Sequence, residues 1–163
     1  CIRDRYQSDP RKECLRADQG EFALNHDFTE CLSVKHNEEI QSSHFGAGCT
    51  ISIEGYTCNY RDPDDGSKLT LDFHSYMSDD KTQNAATVQN HMVKLMEFLI
   101  ENKKLLKRGG PGRLLCTTYG CAKQYKCATS LYFVSVLSHK FGVVVDRAIC
   151  CLGHRKSLVV SFI

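Results

Sequence analysis

Apolar positions recur with period two between residues 21 and 73, and at helical spacing between residues 82 and 139. From Glu21 to Cys31, Phe22, Leu24 and Phe28 share one parity. That pattern predicts a strand carrying Asp27 on its opposite face. A polar stretch over 35–43 precedes a second strand, His44 to Tyr60. There Ile51 and Ile53 hold one parity and Tyr56, Cys58 and Tyr60 the other, which predicts a bulge at Gly55. Asp62-Pro63-Asp64-Asp65-Gly66 reads as a turn, because proline presets φ while Asp and Gly accept tight geometry. A third strand follows, with Leu69, Leu71 and Phe73 alternating against Thr70 and Asp72. Together the three strands form an antiparallel meander.

The period then changes. Val88, Met92, Leu95, Met96 and Leu99 make one apolar stripe of a helix from about Thr82 to Leu106, with N-cap candidates in Ser78-Asp79-Asp80. Lys94, Glu97, Glu101 and Lys104 take its wet face, and Gly109-Gly110-Pro111-Gly112 stops it. A short strand, Arg113 to Thr118, leads through Tyr119-Gly120 into a second helix at about Lys123 to His139. The Leu131-Tyr132-Phe133-Val134 block is apolar nearly all round and predicts deep burial; Gly142 suits the position after the helix end. Val143-Val144-Val145 has no alternation, as in a strand covered on both faces. Residues 150–163 read as the start of a third helix. This order predicts an α/β protein of the ribonuclease H-like class. Its sheet has five mixed strands, three antiparallel and then parallel ones joined by crossovers, with helices on both faces.

Composition narrows the classes. The chain has 163 residues and 18.4 kDa, room for one domain, and 42% hydrophobic with 25% charged residues is globular usage. With 21 Lys+Arg against 19 Asp+Glu, a strongly basic arm is excluded and a local basic patch is not. No apolar run approaches the roughly 18 residues that span a bilayer, so a membrane partner is not expected. Residues 1–20 read as a polar lead-in, with Cys1 and Cys14 as the tail of an upstream cysteine-rich module. The core is read as 21–163, truncated in its last helix.

Ten cysteines invite a disulfide framework, but long periodic segments argue against a loop-rich disulfide scaffold. Zinc sites usually show C-x2-C, which is absent; Cys151-x2-His154 is the nearest approach. Most cysteines therefore read as small buried hydrophobes in a reducing, intracellular compartment. A zinc-stabilised interaction domain is the competing view. His26, His44 and His139 read as structural histidines. Gly153-His154-Arg155-Lys156-Ser157 is not a phosphate-binding P-loop, since Cys150 and Arg155 stand where its glycines belong. A cysteine hydrolase built on Cys121 and His154 lacks a third, orienting group.

A ribonuclease H-like nuclease holds two divalent ions on acids converging from separate elements. Mg²⁺ or Mn²⁺ needs few protein ligands, because Mg²⁺ keeps several waters. Asp27 matches the first acid by position and facing. The second place falls at Tyr119 and the third past Gly153, and no acid follows Asp146. Glu30 and Asp80 are supporting candidates. Lys123 and Lys126, and the basic run His154, Arg155 and Lys156, are candidate phosphate contacts.

Four stretches resemble transposase and retroelement proteins with an integrase-like catalytic core of the three-acid type. They are His26-Asp27-Phe28-Thr29-Glu30; Glu39-Ile40-Gln41-Ser42-Ser43-His44-Phe45-Gly46; Met77-Ser78-Asp79-Asp80-Lys81-Thr82-Gln83-Asn84-Ala85; and Thr118-Tyr119-Gly120-Cys121-Ala122-Lys123-Gln124-Tyr125-Lys126. The last continues through Asp146-Arg147-Ala148-Ile149 to Gly153-His154-Arg155-Lys156. The resemblance implies a DNA partner, a nuclear setting, Mg²⁺ chemistry with Asp27 as a metal ligand, and strand transfer in the intact family. It leaves a homo-oligomer open. Three departures stand out: Tyr119 replaces the second acid, Arg155 replaces a glycine, and Ser157, Leu158, Val159 and Val160 fill the place of the third acid. The expectation is an integrase or transposase relative with lost or impaired activity; the alternative is a non-catalytic nucleic-acid-binding module on the same fold.

Overall fold

Alternation and helical periodicity translate directly into elements. The computed structural model describes residues 20–29, 31–34, 49–62, 64–103, 112–118 and 121–149. In chain order these are β1 (Glu21–Phe28), β2 (Leu32–Val34), β3 (Cys49–Arg61), β4 (Leu69–Ser78), α1 (Ala85–Lys103), β5 (Arg113–Thr118), α2 (Ala128–Phe141) and β6 (Val144–Ile149).

The five long strands lie side by side as β4-β3-β1-β5-β6. β3 runs antiparallel to β1 and β4, while β5 runs parallel to β1 and β6. Parallel neighbours require a crossover, and α2 supplies it between β5 and β6. A mixed sheet of this order, with three antiparallel strands followed by parallel ones, is the ribonuclease H-like arrangement. Short β2 pairs with the beginning of β3.

The bulge lies elsewhere than expected. β3 keeps one register through Gly55, which pairs with Asp27 on one side and Ser75 on the other. The slip is in its partner: Phe28 pairs with Glu54, but Leu32 pairs with Ile51. One extra residue therefore sits between β1 and β2. The parity change along β3 has another cause, burial on both faces. Tyr56, Cys58 and Tyr60 face the helices, while Ile53, Thr57 and Asn59 are buried on the other side.

Both described helices pack on one face of the sheet. Met92, Leu95, Met96 and Leu99 of α1 and Phe133 and Leu137 of α2 meet Phe22, Leu24, Tyr56, Cys58, Leu114 and Cys116. Burying each such large side chain stabilises the fold by about 1.5–3 kcal/mol.

The end of α1 differs from expectation. Asn84, not the Ser78–Asp80 run, caps it, with Oδ1 accepting from the N–H groups of Ala86 (2.9 Å) and Thr87 (3.1 Å). Asp80 instead closes a local turn by accepting from the Thr82 N–H at 2.8 Å. Asn84→Ala is expected to cost about 1 kcal/mol in urea denaturation, and Asp80→Ala much less.

α2 starts at Ala128 rather than near Lys123, and residues 122–125 form a turn instead. It ends as predicted, on Gly142 at φ 64°, a left-handed conformation that favours glycine. Leu131 and Tyr132 are 55% and 72% exposed, because α2 lies on the sheet with only Ser130, Phe133 and Leu137 turned inward. Val144 is 48% exposed, since β6 pairs with β5 alone among the described residues. On β4 the alternation holds, but Leu69, Leu71 and Phe73 take the exposed side. Asp72 faces inward and accepts from the Tyr60 hydroxyl at 2.7 Å. His139 is exposed in the last turn of α2, not a buried structural residue. No helix of the described residues is long and apolar enough to cross a membrane.

Candidate functional site

The carboxyl ends of β1 and β5 lie together at the centre of the sheet, where strand direction changes between β3 and β1. In open α/β sheets ligands bind outside the carboxyl ends of the strands. Asp27 is the penultimate residue of β1 and lies opposite Gly55, which presents no side chain over it. Its Oδ1 accepts from the Phe28 N–H at 2.9 Å. Burial holds its carboxyl above the ordinary aspartate range, against the opposing pull of that N–H and of His26.

Behind Asp27, on the helix-covered face, sits a buried polar cluster that period-two reading did not reveal. Glu54 of β3 is fully buried between two imidazoles: His26 Nδ1 lies 3.0 Å from Oε1, and His91 Nδ1 of α1 lies 2.7 Å from Oε2. Burial alone would raise the Glu54 pKa, yet the two histidines hold it below the usual glutamate range. An ionised carboxylate only accepts, so both Nδ1 atoms carry protons. His26 Nε2 in turn lies 3.4 Å from Cys116 Sγ on β5. Burial works against a charged imidazole, but Cys116 on one side and Glu54 on the other push the His26 pKa up to about 9.

Aromatic rings wall this cluster. Tyr56 stacks on His26 at 5.0 Å, and Tyr76 stacks on His91 at 4.9 Å. Tyr125 meets His26 edge-on at 5.2 Å. Tyr125 belongs to the turn after β5, where its N–H donates to Cys121 O at 2.9 Å. Its hydroxyl is buried, and burial beside Glu54 and Asp27 pushes its pKa far above the usual tyrosine value. The same turn exposes Lys123 and Lys126.

The structure thus brings Asp27 together with the turn that carries Lys123 and Lys126. Glu30, Tyr119, His154, Arg155 and Lys156 lie outside the described residues, as does His44. Cys31, Cys58, Cys116, Cys121 and Cys127 are free; Cys58 and Cys116 are buried as expected, but Cys31 and Cys121 are exposed and Cys127 is half-buried. Exposure at Cys31 and Cys121 follows from their places in connections rather than on the core face.

A resident pair of divalent ions needs several acids. Here Glu54 is spent on two imidazoles, which leaves Asp27 as the one carboxylate of the described residues at the end of β1 that is not already engaged by histidine. Among the described residues no group of three His, Cys, Asp or Glu could hold a metal ion. These residues do not fit a two-metal centre.

A family model described as "Domain of unknown function (DUF8701)" matches residues 7–160. The chain belongs to that family. No curated protein matches its sequence. Among solved structures, it is similar to LC9-RNase H1, a type 1 RNase H with the type 2 active-site motif. The identity is 13%, the TM-score 0.46, and the alignment covers 82% of this chain but 64% of the other. The chain therefore spans under two thirds of that protein. A likeness this distant adds nothing to the strand order, which carries the fold assignment.

Proposed function

We propose that this DUF8701 chain is a nucleic-acid-binding core related to integrase and transposase catalytic cores, with its phosphodiester chemistry lost or strongly reduced. One observation carries the proposal. A half-buried carboxyl with a raised pKa, Asp27, stands at the carboxyl end of the central strand, beside a turn exposing two lysines. The resemblance of the sequence to that family supports DNA as the partner. Tyr119 in place of the second acid, and no acid over Ser157–Val160, support the loss of activity, because a phenol with a pKa near 10 is a poor Mg²⁺ ligand at neutral pH. Glu54 does not replace a missing acid, since both its oxygens face imidazoles.

Fluorescence anisotropy with a short duplex tests the proposal. Affinity is expected to fall steeply with salt and to be the same in Mg²⁺ and in EDTA. In Lys123→Ala/Lys126→Ala the log–log salt slope is expected to shrink by about 1–2. Asp27→Asn leaves binding intact, and no cleavage product forms. Absence of low-salt binding would sink the proposed partner; Mg²⁺-dependent cleavage abolished by Asp27→Asn would sink the proposed loss of activity. A structural zinc finds no support among the described residues.

A further inference from the structure

Arg147 stands on β6 opposite Cys116 of β5, on the helix-covered face. Its Nη1 donates to both Ser130 O (2.9 Å) and Ser130 Oγ (2.8 Å), in the first turn of α2. The guanidinium lies over the Tyr125 ring, 5.9 Å from its centre. The other two nitrogens, Nε and Nη2, are buried and have no hydrogen-bond partner among the described residues. The Thr118 hydroxyl, two residues beyond Cys116 on the same face, is 1% exposed and equally unpartnered. Guanidinium does not deprotonate, so its unmatched donors carry an unrelieved desolvation cost.

The same place receives the amino end of α2. Its N-cap, Cys127, makes no side-chain capping bond, and its first turn holds no acid. Among the described residues no side chain therefore caps the first N–H groups, at the positive end of the helix dipole. A cation placed there is opposed by that dipole, the reverse of the favourable arrangement. Helix end, guanidinium and hydroxyl all supply donors, and an anion would satisfy them together.

We infer that the junction of Arg147, Thr118 and the amino end of α2 binds a phosphoryl oxyanion. Arg147 supplies a two-nitrogen fork, a geometry suited to phosphate. The phosphoryl group comes either from a nucleic-acid backbone or from free phosphate. Only the first source rests on the function proposed above.

Inorganic phosphate, titrated into the full chain at constant ionic strength, tests the site. The melting temperature is expected to rise with phosphate but not with matched chloride. Calorimetry should show phosphate affinity at least tenfold weaker in Arg147→Gln and several-fold weaker in Thr118→Val, with circular dichroism confirming both folds. Thr118→Val keeps the test open should Arg147→Gln fail to fold. Equal responses to phosphate and chloride, or undiminished phosphate affinity in the folded variants, would overturn the inference. Phosphate binding without any duplex affinity keeps this site and removes the nucleic-acid partner. Duplex binding with no phosphate binding, unaltered in Arg147→Gln, does the opposite.

Discussion

Glu54→Gln is expected to lower the unfolding free energy by about 3–5 kcal/mol, because it removes the charge that two buried imidazoles share. His26 and His91 both direct Nδ1 at this carboxylate, and Glu54 has no exposed surface. An amide in its place accepts from one ring while presenting its NH₂ to the other. Urea denaturation should show a lower midpoint at unchanged slope, the mark of lost stability rather than a changed denatured state. A loss under about 1 kcal/mol would contradict the ionised bridge. Asp27→Asn makes the contrast. Burial already disfavours the charge of Asp27, so the neutral variant should stay within about 1 kcal/mol of the parent or exceed it. The two carboxylates thus behave oppositely, one holding the fold and the other strained within it.

Stability should also form a plateau bounded by these same groups. His26 titrates at about 9 in the folded chain against an ordinary 6.5. A group raised in this way contributes fully below the unfolded value and loses its contribution as pH climbs through the folded one. At 1.36 kcal/mol per unit, the loss between about pH 6.5 and 9 is on the order of 3 kcal/mol. Glu54 is depressed, so its contribution is present above the ordinary 4.5 and fades as pH falls through its folded value. Maximal stability is expected between about pH 5 and 6.5, with a long alkaline decline. Urea midpoints measured from pH 4 to 10 would show it, and Cys116→Ala should bring the alkaline decline to lower pH. A flat alkaline limb in the parent would contradict the charged His26.

Much of this was legible from local pattern. Phe22, Leu24 and Phe28 placed Asp27 on the opposite face of β1, and the stripe from Val88 to Leu99 is the buried face of α1. No bulge stands at Gly55, for a physical reason: a strand buried on both faces changes apolar parity without changing register. Leu131 and Tyr132 misled likewise, since an apolar block on a helix says nothing about which of its sides meets the sheet. Glu54 looked like an ordinary polar position of an alternating strand. Its partners stand 28 and 37 residues away on other elements, beyond the reach of any local window.

The order of amino acids by itself determined the five long strands and two helices, their sequence along the chain and the facing of Asp27, because spacing along a strand or helix is set by backbone geometry; short β2 and the start of α2 at Ala128 were decided by packing. Only tertiary packing decided that one glutamate would be enclosed by two histidines, and that Arg147 would lie against the bare amino end of α2. Those pairings depend on register between distant strands, and the free energy of a buried charge depends on neighbours that no local pattern names.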